Sequence, residues 1–448
     1  MSANGNSVNL MTEGSIYKKI IKFAIPIFIG QLFQQLYNTV DSLIVGNMIG
    51  RTALAAVSST GTLTFLVIGF FFGFSMGAGV VISRNIGAKK AEKTSLAVHT
   101  AVAMGIMFSV VITLLGVFGS PFMLRLIGTP DDVFGEASLY LRVYFAGCTG
   151  LIMYNTFVGI LQASGDSKHP LIYLVISSVT NVFLDIFFIG VFKMGVEGAA
   201  LATILSQFLS MFLSLGRLLR SNEVIKVEIN KIKLHRETFG EIVKFGFPTA
   251  MQGSIIDISN ILIQSYVNSF GSLAMAGIGA YIKIEGFAFL PVTAFSMAMS
   301  TYISQNLGAG KKDRMRKGIA FGIVCAIALI EIIGAVIFIT APTLISAFNS
   351  EPDVVYYGVL RARTTALFFC LMGFSNVTAS IMRGLGKPVV PMVIMLVCWC
   401  AIRVAVFMTI GQVYHEIRLT NWIYPITWGI SSVVYVICLL RLRRKGTI

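Results

Sequence analysis

The sequence predicts an all-α integral membrane protein of twelve transmembrane helices arranged as two pseudo-symmetric six-helix lobes. Three observations carry this. The 448 residues are 56% hydrophobic and only 12% charged, where a soluble domain carries roughly 25% charged residues. Apolar stretches of about 20 residues, long enough to cross a bilayer, recur along the whole chain. The second half also repeats the first at a spacing of 221 or 222 residues: FAIP at 23–26 returns as FGFP at 245–248, and ISRNIGAKK at 82–90 as ISQNLGAGKK at 303–312.

The spans fall near 17–46, 53–83, 91–119, 135–161, 170–190 and 197–219, then 239–268, 274–304, 314–340, 356–383, 389–411 and 421–441. This gives an N-terminal lobe over 1–216, a cytoplasmic linker over 217–240 and a C-terminal lobe over 241–448. The net charge is +15, and the cations sit in alternate connections: Lys18, Lys19 and Lys22; Arg84 to Lys93; Lys168; the linker; Lys311 to Lys317; Arg383 and Lys387; and the tail Arg441 to Lys445. That is the positive-inside pattern, so the basic excess anchors topology and does not read as a nucleic-acid surface. Both termini are expected in the cytoplasm, in a multi-pass bacterial cell membrane protein. Because six spans are even in number, the halves share one orientation and their twofold runs along the membrane normal, an arrangement found in secondary transporters.

Several local patterns have structural explanations. The six cysteines all lie in apolar segments and read as inert buried thiols. GFSMG at 73–77 matches a nucleophile elbow, but it lies within a span and no histidine partner stands nearby, so hydrolase chemistry is not expected. Gly69, Gly73 and Gly77, four residues apart, read instead as a close-packing face. Pro26 and Pro248 stand at equivalent repeat positions, and Pro26 is a candidate hinge on span one.

The intramembrane acids carry the functional expectation. Asp41 in LYNTVDSLIVG and Asp185 in NVFLD lie at similar depth, in the outer half of the membrane. Asn181 shares the face of Asp185 at i and i+4, as Ala199 and Thr203 share one in GAALAT. A charge at mid-membrane costs at least about 2.5–3.5 kcal/mol, which structure alone rarely justifies. Two carboxylates, an amide, a hydroxyl and a backbone carbonyl suit a hard cation such as Na⁺, and two close carboxylates equally share a proton. Gln34, Tyr37, Asn38, Tyr154, Asn155 and Gln162 are polar candidates for an N-lobe substrate cavity. In the second lobe Glu331 and Arg403 are expected to form a structural salt bridge, leaving Asp257 and Glu285 as substrate or second-cation ligands.

On these motifs, and on the paired N-(I/L)-G-A sequences after spans two and eight, the chain resembles the multidrug and toxic compound extrusion (MATE) family. The branch it resembles is the DinF-like one, within the multidrug/oligosaccharidyl-lipid/polysaccharide superfamily. The resemblance implies a V-shaped twelve-helix fold and a secondary antiporter, not an enzyme. It implies expulsion of amphipathic, cationic drugs or toxins in exchange for H⁺ or Na⁺. The coupling site would lie on Asp41, Asn181, Asp185 and Thr203, with the Ala199 carbonyl as a further ligand. No cofactor is expected beyond the coupling ion. The expected partners are the small-molecule substrate and membrane lipid, and the protein is expected to act as a monomer. The alternative within the same superfamily is a flippase for lipid-linked oligosaccharide or lipid, which calls for a basic cleft in place of N-lobe acids.

Overall fold

The computed structural model describes residues 10–221 and 223–448, and among them every regular element is helical. Hydrocarbon offers no partner for a backbone N–H or C=O, so a spanning chain must satisfy these groups within each helix. The first half comprises α1 (Ile16–Met48), α2 (Arg51–Gly87), α3 (Ala91–Leu126), α4 (Asp131–Ala146), α5 (Thr149–Ala163), α6 (Lys168–Asp185) and α7 (Val196–Leu219). The second comprises α8 (Arg236–Asn268), α9 (Ser272–Gly308), α10 (Lys312–Ser346), α11 (Pro352–Ala366), α12 (Phe369–Gly384), α13 (Val389–Met395), α14 (Ile402–Met408), α15 (Ile410–Val413) and α16 (Ile417–Arg444). A π-helical turn, Ile186–Val191, prolongs α6, and another, Leu396–Ala401, joins α13 to α14.

These elements form two sets of six rods. Among the described residues, nine are helices long and apolar enough to cross a membrane. The bent pairs α4–α5 and α11–α12, with angles of 47° and 57°, bring the number of candidate spans to eleven. The twelfth expected span, α8, has the length but not the hydropathy, because Gln252, Asp257, Asn260 and Gln264 lie along it. The two bends were not expected: 135–161 and 356–383 each read as one uninterrupted apolar run. Large side chains are left facing outward, Phe118 at 79% and Ile339 at 73% exposure among them, as a lipid-facing surface requires.

The helices gather into two compact units, one of Leu10 with Ile29–Ala250, the other of Met11–Phe28 with Met251–Ile448. This cuts the chain differently from a division at 216 and 241. The start of α1 belongs with the second unit, and the passage between units falls two residues after Pro26 in α1 and two residues after Pro248 in α8. The segment before α1 is tied into the second unit by backbone capture. Met11 N–H donates to Gln305 Oε1 at 2.8 Å, and the Arg314 guanidinium donates to the carbonyls of Met11, Glu13 and Gly14.

The 217–240 stretch is docked on the first unit, not free. Ile225 and Val227 are buried in its core, and the Glu228 N–H donates to His99 Nε2 at 2.9 Å. His99 Nδ1 lies 2.7 Å from the Ser95 carbonyl, which assigns its proton to Nδ1 and leaves Nε2 as the acceptor. Glu228 itself is exposed, and its hydrogen bond to Lys231 holds its carboxyl below the usual carboxylate range.

Within the first unit the small-residue face of α2 is partly used. A Cβ on Gly73 would stand 2.4 Å from the Ala250 backbone nitrogen, and one on Gly77 2.4 Å from that of Gly246. Gly69, expected in the same role, meets nothing within 4 Å. Gly77→Ala should therefore destabilise by about 1–3 kcal/mol through forced separation of two backbones. Gly69→Ala should be neutral or stabilising, since it only improves helix propensity. Thermal unfolding in detergent compares them, and equal losses at both positions would exclude this packing account.

Candidate functional site

The first unit brings Asp41, Asn181, Asp185 and Thr203 together from three helices. On α1, Asp41 precedes Val45 by one turn, so both share a face. Val45 is fully buried against Ala199, Tyr140 and Ile189, which seats that face of α1 on α7 and on the π-helical turn. Asp41 is thereby carried inward and is 8% exposed, while its neighbour Leu43 is 57% exposed. α6 ends at Asp185, where the helix widens into the turn Ile186–Val191; such π-bulges recur at functional sites. Asn181 and Asp185 are both fully buried, and Thr203 is buried on α7.

The polar atoms of this cluster are closely engaged. The Asn181 amide, oriented to satisfy both of its ends, donates to Asp185 Oδ2 at 3.0 Å and accepts from the Thr203 backbone N–H at 3.3 Å. The Asp41 carboxyl faces that of Asp185 within hydrogen-bonding reach. Two carboxyls at such range hydrogen-bond only when one of them carries a proton. Asp41 Oδ1 and Asp185 Oδ1 remain buried with no partner. The cluster can therefore hold one proton between its acids or present its oxygens to a small hard cation. Among the described residues no three His, Cys, Asp or Glu side chains converge.

Three tyrosines complete the surroundings. Tyr37, one turn before Asp41, lies close to Thr203 and Asp41. Tyr140 and Tyr144 stack on each other at 6.0 Å between centroids, close enough to feel the Asp41 charge. Tyr37 stood among the expected cavity residues, whereas Tyr140 and Tyr144 did not, although their i, i+4 spacing on α4 was a readable signal. Ala199 is fully buried in the same apolar cluster.

Other expected residues lie apart. Gln34 and Asn38 are exposed on α1. Gln162 is half-buried on α5, and Asn155 returns its amide to its own helix at the Leu151 carbonyl, 2.9 Å away. Tyr154 is no free wall residue: it is buried in the core, and its hydroxyl donates to the Pro170 carbonyl at 3.1 Å.

In the second unit the expected Glu331–Arg403 ion pair is absent among the described residues. Glu331 Oε2 accepts from the Cys370 N–H at 2.9 Å, near the start of α12. The α11–α12 bend frees amides there, and a carboxylate at a helix N-terminus satisfies one and complements the dipole. Arg403 instead donates from Nε to Thr427 Oγ1 at 3.0 Å and lies over the Tyr424 ring at 4.2 Å. Glu285 accepts from the Tyr281 hydroxyl at 3.1 Å and lies near Arg403 and Arg361. Asp257 is half-buried on α8. Arg361 was missed by sequence reading, although the repeat spacing sets it opposite Tyr140. Replacing Glu331 by Ala should destabilise by about 1–2 kcal/mol through the lost cap. Adding Arg403→Met should give no rescue, the two losses summing within error. Recovery of the melting temperature in the double variant would restore the ion pair.

Comparison with known proteins agrees with this architecture. The MatE family profile matches twice, at residues 26–187 and 248–409, so the two matches are themselves one repeat length apart. The probable multidrug resistance protein YpnP of Bacillus subtilis (strain 168) is 30% identical over 392 residues, 88% of each chain. The probable multidrug resistance protein NorM of Thermotoga maritima is 25% identical over 412 residues, covering 91% of this chain and 88% of that one. A solved outward-facing multidrug resistance MATE family transporter of the MOP superfamily superposes with a TM-score of 0.88 at 24% identity, covering 100% of this chain and 99% of that one. At that identity the structural likeness speaks for the fold; the profile and the relatives speak for descent, and the chain belongs to the MatE family.

Proposed function

We propose that this protein is a secondary antiporter of the cell membrane that expels amphipathic, cationic organic compounds in exchange for H⁺ or Na⁺ taken up at Asp41 and Asp185. The observation that carries the reading is the buried contact between these two carboxyls, each keeping an oxygen without a partner. Relatives named as multidrug resistance proteins support multidrug efflux. The placement of cations in alternate connections supports cytoplasmic termini.

Coupling follows from linkage. With the site ionised, two like charges at close range hold α1 and α6 apart; a proton or Na⁺ removes the repulsion and lets the helices approach. Ion and drug are exchanged if each prefers a different arrangement of the unit. One elementary charge moving inward yields about 2.3 kcal/mol per 100 mV, which corresponds to about fiftyfold accumulation. Pro26 supplies the bend: it removes a backbone hydrogen bond from α1 close to where that helix passes between the two compact units.

Asp41→Asn keeps shape and loses the exchangeable charge, so it should express normally yet lower ion-driven dye efflux at least about tenfold. Asp185→Asn should do the same, and the double variant should be no worse than either, because the groups act as one site. Everted vesicles with pH and Na⁺ gradients imposed separately measure this and identify the ion. Wild-type efflux by a well-expressed Asp41→Asn protein would remove the coupling role.

Pro26→Ala should slow turnover severalfold while leaving the ion's protection against thermal unfolding unchanged. Unaltered turnover would place the moving element elsewhere.

A further inference from the structure

The second unit contains a cavity of about 370 Å³, a volume suited to a small organic ligand. Its lining is largely apolar, with Ile256, Ile282, Phe289 and Val292 among the walls. Two arginines nevertheless face it, Arg361 from α11 and Arg403 from α14, at 2% and 1% exposure. Tyr424 supports both, with each guanidinium carbon 4.2 Å from the ring centroid. Arg361 Nη1 donates to the Thr420 carbonyl at 2.6 Å, and Arg403 Nε to Thr427. These bonds and the shared ring fix both groups in position. Arg361 Nε and Arg403 Nη2 are buried and keep donors with no partner.

The only acid lining the cavity among the described residues is Glu285, already engaged by Tyr281. Two guanidinium groups against one carboxylate leave one positive charge in an apolar space. Structural stability does not explain this surplus, because a buried charge needs a partner of opposite sign and well-packed apolar residues would cost less. Fixed guanidinium groups with free donors match the oxygens of a carboxylate or phosphodiester.

We infer that this cavity binds a lipophilic organic monoanion, its acid group against Arg361 and Arg403 and its hydrocarbon along the apolar wall. The inference is independent of the acid pair in the first unit, whose charge has the opposite sign.

Two of the protein's three tryptophans, Trp399 and Trp428, line the cavity, so energy transfer from tryptophan to a dansyl group reports occupancy directly. The probe is 11-(dansylamino)undecanoate, added to the full chain in a maltoside detergent. Saturable transfer is expected with the acid and not with its methyl ester or a trimethylammonium analogue of equal length. Arg403→Gln should weaken binding at least about tenfold, the loss of one charge-assisted hydrogen bond. Glu285→Gln removes the competing internal anion and should strengthen binding several-fold, a gain that misfolding cannot imitate. Displacement by laurate identifies a free carboxylate as the natural class, and displacement by phosphatidylglycerol a lipid headgroup. Equal binding of acid and ester, displacement by neither competitor, or an affinity unchanged or lowered by Glu285→Gln would overturn the proposal.

Discussion

The bilayer interior supplies no hydrogen-bond partner, and every polar group placed there must find one within the protein. That constraint explains more of this molecule than any single contact. It makes every described element a helix and determines what happens where helices break. At the α11–α12 bend the Cys370 amide, freed by the break, is met by the carboxylate of Glu331 from α10. At the end of α6 the backbone passes into a π-helical turn beside Asp185, keeping its hydrogen bonds internal while the helix widens. Charges that satisfy no such structural need stand out, and these are the ones from which a function can be argued.

The two halves meet the constraint with opposite chemistry on one repeated scaffold. In the first unit two carboxyls face each other, with Asn181 and Thr203 in attendance. In the second, positions near the repeat equivalents of Tyr140, Asn181 and Thr203 hold Arg361, Arg403 and Tyr424, and the ring of Tyr424 lies against both guanidinium groups. Duplication preserved helix lengths and bends, but the side chains at the centre of each unit diverged. A repeat in the sequence therefore predicts architecture twice and a site only once.

The segments outside the long helices are held more firmly than their polarity suggests. The stretch before α1 is captured through its backbone by Gln305 and Arg314, and the 217–240 stretch is pinned through Ile225, Val227 and His99. Neither anchor follows from composition. A Lys- and Arg-rich connection reads as solvent-facing, and the two apolar side chains that bury it are a small part of its sequence.

The sequence by itself determined the class and the repeat, and it marked the buried acids of the first unit. Hydropathy reports the solvent directly, a spacing of 221 or 222 residues reports duplication directly, and an acid within an apolar run is visible without coordinates. The i, i+4 relation of Asn181 to Asp185 needed only helical geometry. Tertiary structure decided the partners. Whether Arg403 met Glu331 or Tyr424 depended on rotations of α10 and α14 about their own axes, and apolar spans carry almost no pattern that sets those rotations, since lipid and protein interior are equally apolar. The bends at α4–α5 and α11–α12 were hidden for a related reason: what stabilises them is a capping group or packing from elsewhere in the chain. Tyr140 and Tyr144 joined the acid pair, and Tyr154 was withdrawn into the core, through contacts between helices that only the folded chain specifies.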